Sequence, residues 1–155
     1  MNSWLNPGVV VPGFVLRRFG RALAPVAYKV YTFTDYTLRE TRSQSFVTYN
    51  SFRVEAPSGK ALWLLSVRFY REMWQRAGAV QSEAQSHLLF DGGPTVAGAT
   101  TSSETPVAII THSPLGFVVP PGLSVNVVIQ YRNRAGYTTF MRNVRVDILY
   151  AEVQL

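Results

Sequence analysis

Hydrophobic and polar positions alternate along several stretches of this chain, and the clearest stretch follows Pro120-Pro121-Gly122. After that turn, every second residue is apolar and most of the residues between are polar. A period of two is typical of a β-strand with one buried face. The pattern therefore predicts a strand over residues 123–132. Its inward positions would be Leu123, Val125, Val127, Ile129 and Tyr131.

Other stretches have the same strand-like composition, and turn residues separate them. The predicted strands cover residues 26–33, 45–55, 61–70, 86–90, 106–112, 116–119 and 137–153. In the third strand of the chain the odd positions Trp63, Leu65, Val67 and Phe69 are expected to face inward. In the last strand the alternating residues Val144, Val146, Ile148 and Tyr150 are apolar. Asn133-Arg134-Ala135-Gly136 suits a hairpin loop that closes on a glycine.

Two segments are not expected to form strands. Residues 72–85 have a helix-like composition interrupted by Gly78, which predicts a loop with at most one helical turn. Residues 97–105 are small and polar, as in a mobile surface loop. About eight short strands with turns between them predict an all-β fold, an antiparallel two-sheet sandwich of jelly-roll type. A closed barrel is the alternative.

Residues 1–25 differ from the rest of the chain and form a first region, followed by the sandwich domain over 26–155. They are too apolar for a solvated tail, and proline and glycine interrupt them too often for one long element. We expect an extended arm that lies on a surface, either that of its own domain or that of a neighbouring subunit. The residues expected to make this contact are Trp4, Leu5, Val10, Phe14, Leu16, Arg17, Arg18, Phe19 and Arg21.

Length and apolar runs favour a single soluble domain. The chain has 155 residues and no cysteine, so disulfides are excluded. The apolar run over residues 8–16 is less than half of the roughly 20 residues that span a membrane. Arg17 and Arg18 follow this run, whereas the basic residues of a signal peptide precede its apolar part. We expect no membrane partner and no processing.

The net charge of +6 is concentrated near the beginning of the sequence. Residues 1–34 contain four basic residues and no acidic ones, and the remaining residues contain eleven basic and nine acidic ones. Aromatic and basic residues interleave over 28–53, which could stack bases or sugars. Alternation would place half of these aromatics in the core, and Asp35 and Glu40 interrupt the charge. Nucleic acid is therefore not expected as the main partner.

The sequence offers little reactive chemistry. His87 and His112 lack neighbours with the spacing of metal ligands, and no two carboxylates occur in a recognisable motif. Nucleophile and phosphate-binding motifs are also lacking. We predict no catalytic residue, no metal and no cofactor, and a protein that is not an enzyme.

The stretch RFYREMWQR, residues 68–76, carries side chains that commonly anchor protein interfaces. Met73 and Trp74 would expose apolar area where the chain leaves a strand, unless something covers them. The cover could come from the same chain or from a neighbouring subunit. Trp74 is therefore a further candidate for partner binding.

The layout as a whole resembles a family of virion proteins. A basic, proline-broken apolar arm precedes a cysteine-free sandwich that contains FVVPPGLSVNVVIQY and a long terminal strand. This is similar to the jelly-roll head decoration (cement) and minor capsid proteins of tailed bacteriophages. The resemblance implies a place in the virion after assembly in the host cytoplasm. It also implies two partners, the major capsid protein and copies of the chain itself, which in this family often form trimers.

Other functions remain open at this point. Coat proteins of small RNA viruses also have basic arms, but theirs are usually richer in Lys and Arg. A carbohydrate-binding sandwich used for attachment to a host surface is an alternative, with Trp74, Tyr137 and Asn133 as candidate ligand contacts. A neck or tail component of the same virion is a third possibility.

Overall fold

The computed structural model describes residues 27–76, 78 and 82–154, and these residues form β-strands and loops without a helix. Apart from the three-residue β2, each strand corresponds to a stretch of alternating or β-branched residues. The strands are β1 Tyr28–Asp35, β2 Arg39–Thr41, β3 Val47–Glu55, β4 Lys60–Arg76, β5 Ala84–Phe90, β6 Thr95–Thr101, β7 Val107–Val119, β8 Ser124–Asn133 and β9 Thr138–Gln154.

The strands form two antiparallel sheets that face each other. The five-stranded sheet has the order β1-β9-β4-β7, with β2 also paired to β9, and the four-stranded sheet has the order β3-β8-β5-β6. Strands far apart in sequence are therefore neighbours, and without the short β2 the remaining eight strands have the order of a double Greek key. The predicted fold class, an antiparallel two-sheet sandwich of jelly-roll type, is confirmed.

The hydrophobic core lies between the two sheets. Inward side chains of both sheets meet there, and several are fully buried, including Leu64, Phe69, Phe90, Ile129 and Ile148. Fully burying a side chain of this size contributes about 1.5–3 kcal/mol. The alternation predicted for β8 and β9 is confirmed, except that Leu123 precedes β8 and is 57% exposed.

The predicted orientation of side chains in the first half of β4 is wrong, because the strand contains a β-bulge. The pairing of β4 with β9 shifts by one residue between Leu64 and Ser66, so the side chains before and after this point follow different parities. Leu64 is buried before the bulge and Val67 after it. Trp63 and Leu65, which were expected to face the core, are only half-buried.

Both predicted loop segments are shorter than expected. Strand β4 continues to Arg76 and β5 begins at Ala84, so the connection between them is only half the length of the predicted loop. Most of the segment 97–105 lies in β6, where threonine and valine suit an edge strand. The strands predicted over 106–112 and 116–119 form one continuous strand, β7, and the short strand β2 was not predicted.

The loops divide between two ends of the sandwich. The connections β1–β3, β4–β5, β6–β7 and β8–β9 lie at one end, which we call the distal end. The predicted hairpin is at this end, where the Gly136 amide donates to the Asn133 carbonyl over 3.1 Å and Gly136 has a φ of 83°. The opposite end, which we call the Ala27 end, holds the remaining turns and the start of β1. Residues 1–25, the predicted arm, lie outside the described residues.

Candidate interaction surface

Exposed apolar side chains cluster on the outer face of the five-stranded sheet, at the Ala27 end. The strand register places Tyr28, Ala151, Trp63 and Val118 in one row across the sheet. The next row contains Val30, Leu149, Ser66 and Pro114. Val30 is 58% exposed and Val118 is 53% exposed. We call this cluster the apolar patch: Tyr28, Val30, Trp63, Pro114, Val118 and Leu149.

The patch exists because β1 is apolar on both of its faces. Phe33 points inward and stacks on Phe52, with ring centroids 4.5 Å apart, and Tyr31 also packs against Phe52 at 5.8 Å. The even-numbered residues of β1 therefore point outward, which exposes Tyr28 and Val30. No other strand of the described chain covers this side of the sheet.

A polar row limits the patch towards the distal end. Asp147 accepts hydrogen bonds from the Thr32 hydroxyl over 2.7 Å, from Arg145 Nε over 3.1 Å and from Arg68 Nη1 over 3.3 Å. Burial alone would raise the pKa of Asp147, but these hydrogen bonds outweigh it and lower the pKa. The charges are thus paired with one another beside the patch, and the patch itself is uncharged.

Trp74 lies at the distal end of the same outer face and is not part of the patch. Its ring stacks on Phe140 with centroids 5.1 Å apart, and the Arg142 guanidinium lies 5.0 Å from the ring centroid. Arg142 is held by Glu72, whose Oε1 accepts from Arg142 Nε over 2.9 Å. Side chains of the same chain therefore cover part of the Trp74 ring.

Asn133, a candidate glycan contact, is buried and fully engaged in the fold. Its Oδ1 accepts hydrogen bonds from the Ser82 hydroxyl over 2.6 Å and from the Tyr137 amide over 3.0 Å. Its Nδ2 donates to Gln75 Oε1 over 3.3 Å. The side chain therefore organises the loops of the distal end, and its amide is not available at the surface.

The two histidines lie far from each other. His87 is half-buried on the outer face of the four-stranded sheet, where its Nε2 lies 2.7 Å from Gln130 Oε1 and its ring packs on Phe46. Burial lowers the pKa of His87. His112 is exposed on β7. Within the described ranges, no group of three histidine, aspartate or glutamate side chains could hold a metal ion.

Arg71 is a buried guanidinium in the core, one residue beyond the strand predicted over 61–70, and it was not among the predicted site residues. Its Nε donates to the Ser86 hydroxyl over 2.9 Å, its Nη1 to Thr111 Oγ1 over 2.6 Å and its Nη2 to the Ala97 carbonyl over 3.1 Å. All of these acceptors are neutral, and burial lowers the pKa of Arg71 to about 9. Arg71 joins the two sheets, so its role is structural.

Nine of the ten residues predicted to bind a partner lie outside the described residues. They are Trp4, Leu5, Val10, Phe14, Leu16, Arg17, Arg18, Phe19 and Arg21. Their role stays a prediction. The described part of the chain contains no helix that is long and apolar enough to cross a lipid bilayer.

Comparison with known proteins gives a weak likeness of fold. No protein-family model and no curated protein matches the chain. Structures of the T13 particle and of the VP2 subviral particle of infectious bursal disease virus each match at 16% identity and a TM-score of 0.36. The Gt strain matches at 16% identity and a TM-score of 0.37.

These matches cover 83% of this chain but only 36% to 38% of the viral chains. The chain thus spans little more than a third of their length. Since the TM-scores are below 0.5, we base no functional conclusion on this likeness.

Proposed function

We propose that this chain is a structural protein of a virus particle, namely a capsid decoration (cement) protein or a minor capsid component. Its partners would be the major capsid protein and copies of the chain itself. The observation that carries the proposal is the apolar patch, which lies beside the residue where the chain enters the sandwich. The preceding segment, residues 1–25, is also apolar, and it leads along the sequence towards β1, which carries the patch residues Tyr28 and Val30.

The size of the patch indicates how it would be used. A stable protein interface takes about 800 Å² and roughly 20–30 residues from each partner, and the patch offers six side chains. Each 100 Å² of buried apolar surface contributes about 2.5 kcal/mol before the entropic costs of association. The N-terminal arm would supply the additional contact area, so the arm and the patch would act together at joints of the shell.

Attachment to carbohydrate has weaker support. Sugar-binding faces need exposed aromatic rings with free amide or carboxylate groups beside them. Trp74 is engaged by Phe140 and Arg142, and Asn133 is buried. We therefore do not put forward the glycan-binding alternative.

Sedimentation with purified shells of the major capsid protein tests the proposal. Removal of residues 1–25 should leave a folded sandwich that no longer sediments with the shells. Val30→Glu should weaken binding at least tenfold, because a charge would be buried in the patch. Leu38→Glu changes a residue of similar exposure, 52%, in a distal loop and is the matched control.

Full loading of the truncated protein would contradict the role of the arm, and equal loading of the Val30→Glu protein would contradict that of the patch. Electron microscopy of the purified chain alone gives a further test. If it assembles into closed shells without another protein, it is a coat subunit and not a decoration protein.

A further inference from the structure

Strand β7 is an edge strand of the five-stranded sheet, and no other strand of the described residues covers its outer edge. It runs over Val107–Val119, 13 residues, and pairs only with β4 among the strands that the structure describes. It contains no aspartate, glutamate, lysine or arginine. Its outward residues Ile110 and Val118 are 47% and 53% exposed. A long, uncharged edge strand is a template for pairing with another chain.

The three other edges in the described sheets are protected. Strand β1 carries Lys29 and Asp35, and β3 carries Arg53 and Glu55. Charged side chains of this kind discourage pairing between edges.

The edge of β6 is protected in a different way. The backbone bends at Ala97, which has a φ of 56°. Its amide donates to Ser113 Oγ over 2.9 Å, and its carbonyl accepts from Thr111 Oγ1 over 2.8 Å. Side chains of β7 thus occupy both polar backbone groups of Ala97 in β6, while β7 itself has no comparable cover in the described chain.

We propose that β7 pairs antiparallel with β7 of a second copy of the chain, about a two-fold axis at Ile110. Pro114 has no amide hydrogen and limits the pairing to the seven residues 107–113. Ile110 is the centre of this segment, so it would face Ile110 of the second copy. Ala108 would face His112 of the second copy.

A second copy is the occupant that the chemistry of this edge favours. Symmetric pairing places every residue of a strand opposite another residue of the same strand, so a charged edge would repel its own copy. The uncharged segment 107–113 avoids this repulsion. The pairing is isologous and therefore closes at two copies instead of growing into a fibre. It does not depend on the capsid role.

Cross-linking through a single introduced cysteine tests the position of the axis. The chain has no cysteine of its own, so Ile110→Cys in the full-length protein provides one thiol per copy. Opposed residues of paired strands have Cβ atoms about 4.5–5.5 Å apart, close to the distance that a disulfide bridges. We expect a covalent dimer after mild oxidation, and none with Leu38→Cys. Equal cross-linking of both variants, or of neither, would overturn the proposal.

A charge-swap experiment tests the same axis without a covalent bond. Ile110→Lys and Ile110→Glu should each weaken the dimer at least tenfold in sedimentation velocity, because like charges would face each other. An equimolar mixture of the two variants should restore the dimer, since opposite charges then meet. Unchanged association of either variant, or no recovery in the mixture, would contradict the pairing. Shell binding through Val30 and the arm is measured separately, so failure of one proposal is distinguishable from failure of the other.

Discussion

At the scale of single residues, Arg71 is a charged side chain whose burial in the core costs desolvation free energy. Its guanidinium is fully buried, lies 3.9 Å from the centroid of the Phe69 ring and has only neutral hydrogen-bond acceptors. A buried charge without a counter-ion is expensive, and burial accordingly lowers the pKa of Arg71. What it provides in return is a link from β4 to strands β5, β6 and β7.

Substitutions at Arg71 should separate the cost of the charge from the value of its volume. Arg71→Ala leaves a cavity and unpaired acceptors, and we expect it to lower the free energy of unfolding by about 3–5 kcal/mol. Arg71→Met fills most of the space and removes the buried charge, so its loss should be at least 1 kcal/mol smaller. Urea unfolding at pH 7 measures both. Equal losses of unfolding free energy would mean that only the lost hydrogen bonds of Arg71 lower the stability, and not the lost side-chain volume.

Asp35 is a second residue whose hydrogen bonds should make the stability of the fold depend on pH. Its carboxylate accepts hydrogen bonds from Arg39 Nη1 over 2.6 Å, Asn50 Nδ2 over 2.7 Å and the Thr37 amide over 2.9 Å. Burial would raise its pKa, but the hydrogen bonds outweigh burial and hold the pKa far below the usual value.

The pH dependence of stability should therefore reflect Asp35. Below the usual aspartate pKa of about 3.9, the unfolded chain binds a proton that the folded chain does not, so stability falls as the pH falls. At pH 7, Asp35→Asn should lower the free energy of unfolding by about 1.5–3 kcal/mol, the range for hydrogen bonds to charged groups. The loss should shrink between pH 5 and pH 2.5 in urea titrations. A loss that stays constant over this range would show that the carboxylate charge is not responsible.

At the scale of strands, the alternation of apolar and polar residues predicted where the strands lie but not where β-bulges interrupt them. The long regular strands β8 and β9 were predicted closely, because their side chains alternate without interruption. The bulge after Leu64 arises from pairing with β9, some 85 residues away, and no local pattern reveals it. Arg71 has the same odd parity as Val67 and Phe69, but the predicted strand ended at residue 70, so its inward position was not predicted.

The matching irregularity in β7 depends on a glycine. Gly116 has a φ of 85° at the point where the pairing of β7 with β4 shifts, and nothing lies within 4 Å of the position of an added Cβ. Gly116→Ala should therefore act through backbone strain alone and lower the free energy of unfolding by about 1–2 kcal/mol. Gly98→Ala, in β6 without a positive φ, should be neutral or slightly stabilising. Urea unfolding compares the two, and equal effects would contradict this reading of Gly116.

At the scale of the whole molecule, the position of the apolar patch on the sandwich could not be predicted from the sequence. Tyr28, Val118 and Leu149 belong to three strands that are distant in sequence, and only the jelly-roll order of the strands brings them together. Each of these residues alone looks like ordinary strand composition. The arm, by contrast, could be proposed from the sequence, because its mixture of apolar residues, proline and glycine is local.

The distribution of charge favours a protein partner over nucleic acid. Of the net charge of +6, three positive charges come from Arg17, Arg18 and Arg21. On the outer sheet face, Asp147 and Glu72 pair with arginines.

If only the three arginines of the arm contact phosphates, the affinity for duplex DNA should fall with salt at a logarithmic slope of about −2.7. Binding at 150 mM salt should then be weak, and removal of residues 1–25 should abolish the slope. Fluorescence anisotropy with a mixed-sequence duplex, repeated at several salt concentrations, measures this. A slope much steeper than this, or one that survives the truncation, would indicate a basic surface on the sandwich and a nucleic-acid partner.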